Sequence, residues 1–392
     1  MAGVSGIAQL LAAKEIVVCC GSGGVGKTTT AAALGAKAVL ELGGKVLVLT
    51  VDPAKRLANA LGLESFGNVE TRVPNEAFAA AGLEPKGELW VAMLDTKQSW
   101  DDLVRRHAPD ARTREAILAN PLYDNITGRF VQSHDYIAME RLYEIHRSGN
   151  YDLVVVDTPP SRNALDFIDA PARMADFFGS RLLRWLTAPY RSRVLNFASK
   201  PFYQVADRIL GSQFLEDIAE FFILFQSMEK GFVERAEAVT RVLGDRRTSF
   251  VVVTTLEAVP AREAEYFLGA LGQRNLEVGA LVLNRVLPVS LLGERGIAAA
   301  QALRNRAGEI AAALALEAPA ADVTRVLTET AESFGNFSVA ARRETEQRTR
   351  LEARALAAST QRAVGTVVTV PSLDDDIHDI KGLARLGRFL WS

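Results

Sequence analysis

Residues Gly21-Ser22-Gly23-Gly24-Val25-Gly26-Lys27-Thr28 constrain this chain more than any other segment. They satisfy the pattern G-x-x-x-x-G-K-[ST]. The β-branched run Glu15–Cys20 precedes them, and the Ala-rich stretch Thr28–Leu42, which reads as a helix ended by Gly43-Gly44, follows. Strand, glycine-rich loop and helix in that order make a phosphate cradle. Glycine lets backbone N–H groups curl round an anion, and the helix N-terminus adds partial positive charge. In such a loop Lys27 reaches the β- and γ-phosphates and the Thr28 hydroxyl binds Mg²⁺.

A second pattern overlaps the first. Gly21-x-Gly23-x-x-Gly26 also fits a dinucleotide fingerprint, with Asp52 near the place of a ribose-binding acid. The Lys27-Thr28 pair has no role in that scheme, and a second strand-end acid stands at Asp157, after Leu153-Val154-Val155-Val156. An apolar strand ending in an acid is what a Mg²⁺-coordinating second motif needs. An NAD(P)-dependent oxidoreductase is therefore the weaker reading, and a module that holds nucleotide without useful turnover is the other alternative to an ATPase.

Further strands read at Lys45–Val51, Leu89–Asp95, Asp152–Asp157, Phe250–Thr255, Ala280–Asn284 and Thr366–Val370. Most are continuous apolar runs separated by long helical stretches, the pattern of an α/β, doubly wound and mostly parallel sheet with helices on both faces. Thr96–Gly149 and Pro171–Asp245 carry no strand signal and read as helices. The expected division is a nucleotide-binding core of residues 1–98, 150–170 and 246–392, with a helical subdomain inserted as 99–149 and 171–245. In the second insert Phe214, Ile218, Phe221, Phe225, Met228 and Phe232 recur every three or four positions, a stripe that reads as core or as an apolar surface for a client, a lipid or a membrane-protein segment. Ile377–Trp391 reads as an amphipathic helix closing the sheet.

Composition sets the remaining bounds. With 45 Lys+Arg against 47 Asp+Glu in 392 residues, the chain has no global drive toward nucleic acid. No run approaches the ~20 apolar residues a bilayer span requires. The N-terminus lacks the basic region of a secretory signal, and the adjacent Cys19 and Cys20 cannot staple a fold. A cytoplasmic address is expected, with any membrane contact peripheral and through a partner. His107, His134, His146 and His378 show no ligand spacing, so a structural zinc site is not expected.

Asp52 and Asp157 fall at carboxyl ends of parallel strands, the edge where α/β sheets bind ligands. Asp157 would hold Mg²⁺ through water, and Asp52 would orient or deprotonate the attacking water. Pro53 and Pro159-Pro160 stiffen the chain as it leaves each strand, as suits loops that respond to a γ-phosphate.

The loop Gly21–Thr30, the segment Asp52-Pro53-Ala54 with Leu57, and Asp157-Thr158-x-Pro160 resemble the ArsA family of ATPases, of the SIMIBI class of P-loop proteins. The runs Cys19–Thr30 and Asp157–Asp166 are similar to those of an actinobacterial subgroup. The resemblance implies nucleotide contacts along Gly21, Ser22, Gly23, Gly24, Val25, Gly26, Lys27, Thr28 and Thr29. It implies catalytic roles for Lys27, Asp52 and Asp157, and Mg²⁺ at Thr28, Asp52 and Asp157. Asn284 matches the family's strand-end Asn that contacts adenine, and Val370-Pro371-Ser372-Leu373 is similar to the loop that covers the base. Several positions depart from the family, two of which bear on the dimer. Ser22 stands where the family has a Lys that reaches nucleotide across a dimer, and Arg285-Val286-Leu287-Pro288 stands where a Cys-x-x-Cys pair clasps zinc. The resemblance thus implies ATP and Mg²⁺ as cofactors and a dimer without zinc, either a homodimer or, preferably, a heterodimer with a paralogue that keeps the Lys.

Overall fold

The computed structural model describes residues 6–51, 55–63, 67–123, 131–159, 164–178, 212–288, 293–314, 318–358, 365–373 and 375–391. Among these, eight strands form one sheet: β1 (Ile16–Cys20), β2 (Gly44–Thr50), β3 (Thr71–Arg72), β4 (Gly87–Met93), β5 (Leu153–Asp157), β6 (Thr248–Thr254), β7 (Val278–Val286) and β8 (Thr366–Pro371). Their order is β3-β4-β2-β5-β1-β6-β7-β8, and every pairing is parallel except that of β3 with β4. The seven strands expected from sequence are all present within two residues or so at their ends. The two-residue β3 carries no apolar run and is missed.

Each central strand is buried on both faces, which explains the apolar run at its middle. Successive side chains point to opposite sides, so Val17 and Cys19 join one core while Ile16, Val18 and Cys20 join the other. The first core is roofed by the helices Gly6–Ala13, Lys27–Glu41 and Ile380–Trp391. The C-terminal helix buries Ile380, Leu383, Leu386 and Leu390, and its Trp391 ring lies 5.8 Å from Lys37 Nζ on the helix after the glycine loop. It closes the sheet as expected.

The opposite face is covered by Thr96–His107, Val131–Ser148, Ala164–Phe178, Glu229–Leu243 and Ala258–Gln273. Here Trp100, Tyr136, Phe225 and Phe232 interlock, with ring centroids 5.2–6.1 Å apart among the recorded pairs. Phe221, Phe225, Met228 and Phe232 of the apolar stripe are buried in this core. Those four side chains serve packing, so of the two readings of the stripe the core one holds at these positions and the free-surface one does not. The side chains of Phe214 and Leu215 lie outside the described residues. None of the described helices is long and apolar enough to cross a membrane.

Between β7 and β8 the described residues form three helices, Glu294–Asn305, Ala307–Leu314 and the 39-residue Ala320–Ala358. The long helix packs against the other two and, near its C-terminal half, buries Leu351 and Ala355 in the sheet core.

Candidate functional site

β1 lies between β5 and β6 with all three parallel, so the loop leaving β1 emerges between two other carboxyl ends. The loop's glycines are there for space as well as for conformation. A Cβ at Gly21 would lie 2.0 Å from the Val253 carbonyl oxygen, and one at Gly26, whose φ is +94°, would lie 2.4 Å from Asn284 Nδ2. No L side chain fits either position. Gly26 is also the N-cap of Lys27–Glu41 and offers no side-chain cap, so the first-turn amides face the loop. Ser22 Oγ is buried without a hydrogen-bond partner among the described residues, and Lys27, itself buried, folds its Nζ back to donate to the Ser22 carbonyl at 2.8 Å. A curled backbone, a helix start with no side-chain cap, an orphaned hydroxyl and a buried ammonium fit a bound polyphosphate.

Asp157, at 1% exposure, gathers three elements. Register pairs it with Cys19 of β1 and Thr50 of β2. Its Oδ2 accepts a hydrogen bond from Thr28 Oγ1 at 2.6 Å and another from Thr50 Oγ1 at 2.9 Å. Sequence reading named Thr28 and Asp157 but missed Thr50, because a threonine ending a β-rich run is unremarkable without knowing that β2 pairs with β5. Hard oxygen donors from a hydroxyl and a buried carboxylate suit Mg²⁺. Asp52, Pro53, Ala54 and residues 160–163 lie outside the described residues, as do the side chains of Lys55 and Arg56. Cys19 and Cys20 are buried, and burial pushes both thiols well up, with Asp157 adding to the effect at Cys19. They are inert packing groups.

At the next strand end Asn284 Nδ2 donates to the Val25 carbonyl at 2.8 Å, tying β7 to the glycine loop. A β-bulge sets this up. The β7–β8 register shifts between Leu283 and Val286, and Arg285 adopts φ +57° with its N–H donating to Asn284 Oδ1 at 3.0 Å. Val286 then pairs with Pro371, and Ser372 N donates to Val286 O at 3.0 Å. Asn284 and the Pro371 loop therefore share one edge with Lys27, Thr28 and Asp157. Thr255, just past β6, is also buried at this edge with its Oγ1 unpartnered among the described residues, a second hydroxyl that no motif announces.

Away from this edge, His107, Glu140 and Glu144 bring ligand atoms within 4.8 Å of one another. Arginines occupy those carboxylates: Arg235 Nε lies 2.8 Å from Glu140, Arg106 Nη1 2.5 Å and Arg141 Nη1 3.5 Å from Glu144. The cluster is an ion network between helices. His146 pairs with Glu15 at 2.7 Å, and His378 bonds the Asp376 carbonyl.

Fold and loop together place this protein in the P-loop class of α/β nucleotide-binding proteins. Comparison with known sequences narrows the class: the profile of the anion-transporting ATPase family matches residues 14–302, and the chain belongs to that family of ATP hydrolases. It is similar to a protein of Aquifex aeolicus named as a candidate arsenical pump-driving ATPase, with 25% identity over 68% of this chain and 79% of the relative. It is similar as well to an ATPase ASNA1 homolog of Entamoeba dispar, 26% identical over 69% of this chain and 76% of the relative. The ATPase get3 of Aspergillus niger is 23% identical over 68% of this chain and 71% of its own length.

Proposed function

We propose that this protein is a Mg²⁺-dependent ATPase switch in which the nucleotide state moves a dimer and its helical layer. The single observation that carries the reading is the convergence of Thr28 and Thr50 on the buried Asp157, beside the Lys27 loop. The loop amides and Lys27 bind the β- and γ-phosphates and orient the terminal phosphoryl group. Lys27 exchanges its bond to the Ser22 carbonyl for one to phosphate. Thr28 and Asp157 would hold Mg²⁺, which when bound neutralises charge on the transferring phosphate. Asp52 positions and deprotonates the attacking water. Because Asp157 also accepts from Thr50, and Asp52 follows β2 by two residues, a change at the phosphate is felt by both strand ends at once.

The acting unit in this proposal is a dimer, with a heterodimer favoured, since Ser22 brings no charge to the phosphates. The names of the relatives differ in what they act on, an arsenical pump in one case and none stated in the others. A hydrophobic client is the part of the proposal supported by Phe177, 40% exposed and in ring contact with the half-buried Phe222 at 5.8 Å.

Lys27→Ala and Asp52→Asn test the reading. Lys27→Ala is expected to abolish ATP binding in calorimetry. Asp52→Asn is expected to bind ATP normally and lose phosphate release by about 10²-fold or more. Equal phosphate release from Asp52→Asn and wild type would overturn the hydrolytic role and leave a nucleotide-holding module.

A further inference from the structure

Glu344 sits on the long helix Ala320–Ala358, outside the residues matched to the family, and reaches across to the end of β7. Its Oε2 accepts a hydrogen bond from the backbone N–H of Leu287 at 2.9 Å. Leu287 is the first residue past the strand, three positions after Asn284. The intervening chain is the bulge, with Arg285 in the left-handed region at φ +57°. A non-glycine residue there is strained and persists only where its surroundings over-determine it.

Three contacts supply that over-determination. Asn284 Oδ1 takes the Arg285 N–H, Ser372 N–H holds the Val286 carbonyl, and Glu344 holds the Leu287 N–H. The first lies within β7 and the second joins β7 to the residue just past β8, whereas Glu344 comes from a helix. If the bulge relaxed into regular pairing, the register beyond it would slip by one residue, and a one-residue slip turns side chains to the opposite face of a sheet. Asn284 would then lose the Val25 carbonyl, and the Pro371 segment would lose its place beside it.

We infer that Glu344 is a positioning residue for the nucleoside end of the ATP site, acting through the Leu287 amide and the bulge on Asn284 and Pro371. The inference rests on the reading that those two residues flank the base. It also makes the three-helix insertion a mechanical part of nucleotide binding. Burial raises the Glu344 carboxyl above the usual range and the nearby Glu257 adds to the rise, while the bond from the Leu287 N–H opposes it.

The test compares a ligand with a base to one without. Glu344→Ala is expected to weaken ATP binding about tenfold while leaving inorganic tripolyphosphate binding unchanged, and to raise KM with kcat within about twofold. Glu344→Gln keeps an amide oxygen for the Leu287 N–H and is expected to restore wild-type KM. Equal weakening of ATP and tripolyphosphate, unaltered ATP binding in Glu344→Ala, or a Glu344→Gln variant as impaired as Ala would each overturn the inference. Asn284→Ala separates the two levels. If it shifts the ATP to tripolyphosphate ratio and Glu344→Ala does not, the positioning role alone fails. If Asn284→Ala leaves the ratio unchanged, the base-site reading itself has failed.

Discussion

At the residue scale, placement within a few ångströms decides what each side chain does. His107 illustrates this away from the nucleotide edge. Burial first, then the positive charges of Arg235, Arg106 and Arg147, pull its pKa down from 6.5 to about 4, while Glu140 and Glu144 beside it are already engaged by arginines. In the unfolded chain His107 returns to its ordinary value and takes up a proton first. Stability is therefore present above pH 6.5 and is lost as pH falls toward 4. Because the ring is partly exposed, the loss is expected to be about 1 kcal/mol rather than the full value of the shift. Urea melts of wild type and His107→Gln at several pH values check it. A difference between the two that stays constant from neutral to acid pH would contradict the assignment. The same sensitivity explains the glycine loop: Gly26 needs both its positive φ and its missing side chain, since Asn284 occupies the space a Cβ would take.

At the element scale, helices that look alike in sequence have different duties. The helix Ser212–Gln226 and its neighbour Glu229–Leu243, with Met228 capping the second, direct Phe221, Phe225, Met228 and Phe232 into the sheet's second core. Phe225 is 5% exposed, stacked on Phe221 at 5.1 Å and flanked by Trp100 and Phe232. Phe225→Ala is expected to cost about 3–5 kcal/mol, read as a fall in the denaturation midpoint. Retained stability together with loss of a bound apolar client would instead mark this face as a docking surface. A three-to-four residue period states that a helix has an apolar face, but not whether a sheet or a partner covers it. The paired strands were more legible, because a strand buried on both faces needs an apolar run at its centre, and β1, β2, β5, β6 and β7 each carry one. β3, two residues long and at the edge, bears no such requirement.

At the scale of the whole molecule, assembly decides where a second cation for the transferring phosphate, beside Lys27, comes from. An arginine or lysine lent across an interface can be worth ~10³–10⁵ in rate. Ser22 cannot supply it, and the sequence neighbours Lys55, Arg56 and Arg162 are the cis candidates. The chain alone is expected to hydrolyse ATP slowly, and a paralogue bearing Lys at the Ser22 position to stimulate it. Removing that Lys should abolish the stimulation while sedimentation still shows assembly. Brisk turnover by the chain alone, with no gain in Ser22→Lys, would direct the search to the cis cations.

The sequence by itself determined the phosphate loop, the strand ends that carry Asp157 and Asn284, and the α/β class. Each depends on local rules: glycine where φ is positive, a helix opening at a loop, apolar runs where both faces are covered. Tertiary structure decided what those rules cannot reach. Thr50 joins Thr28 on Asp157 only because β2 and β1 both flank β5. Asn284 meets Val25, 259 residues away, only because a bulge re-aims it, and Glu344 pins that bulge from a helix with no motif of its own. Such contacts join positions far apart in the chain, and no spacing along the sequence records which strand will lie beside which.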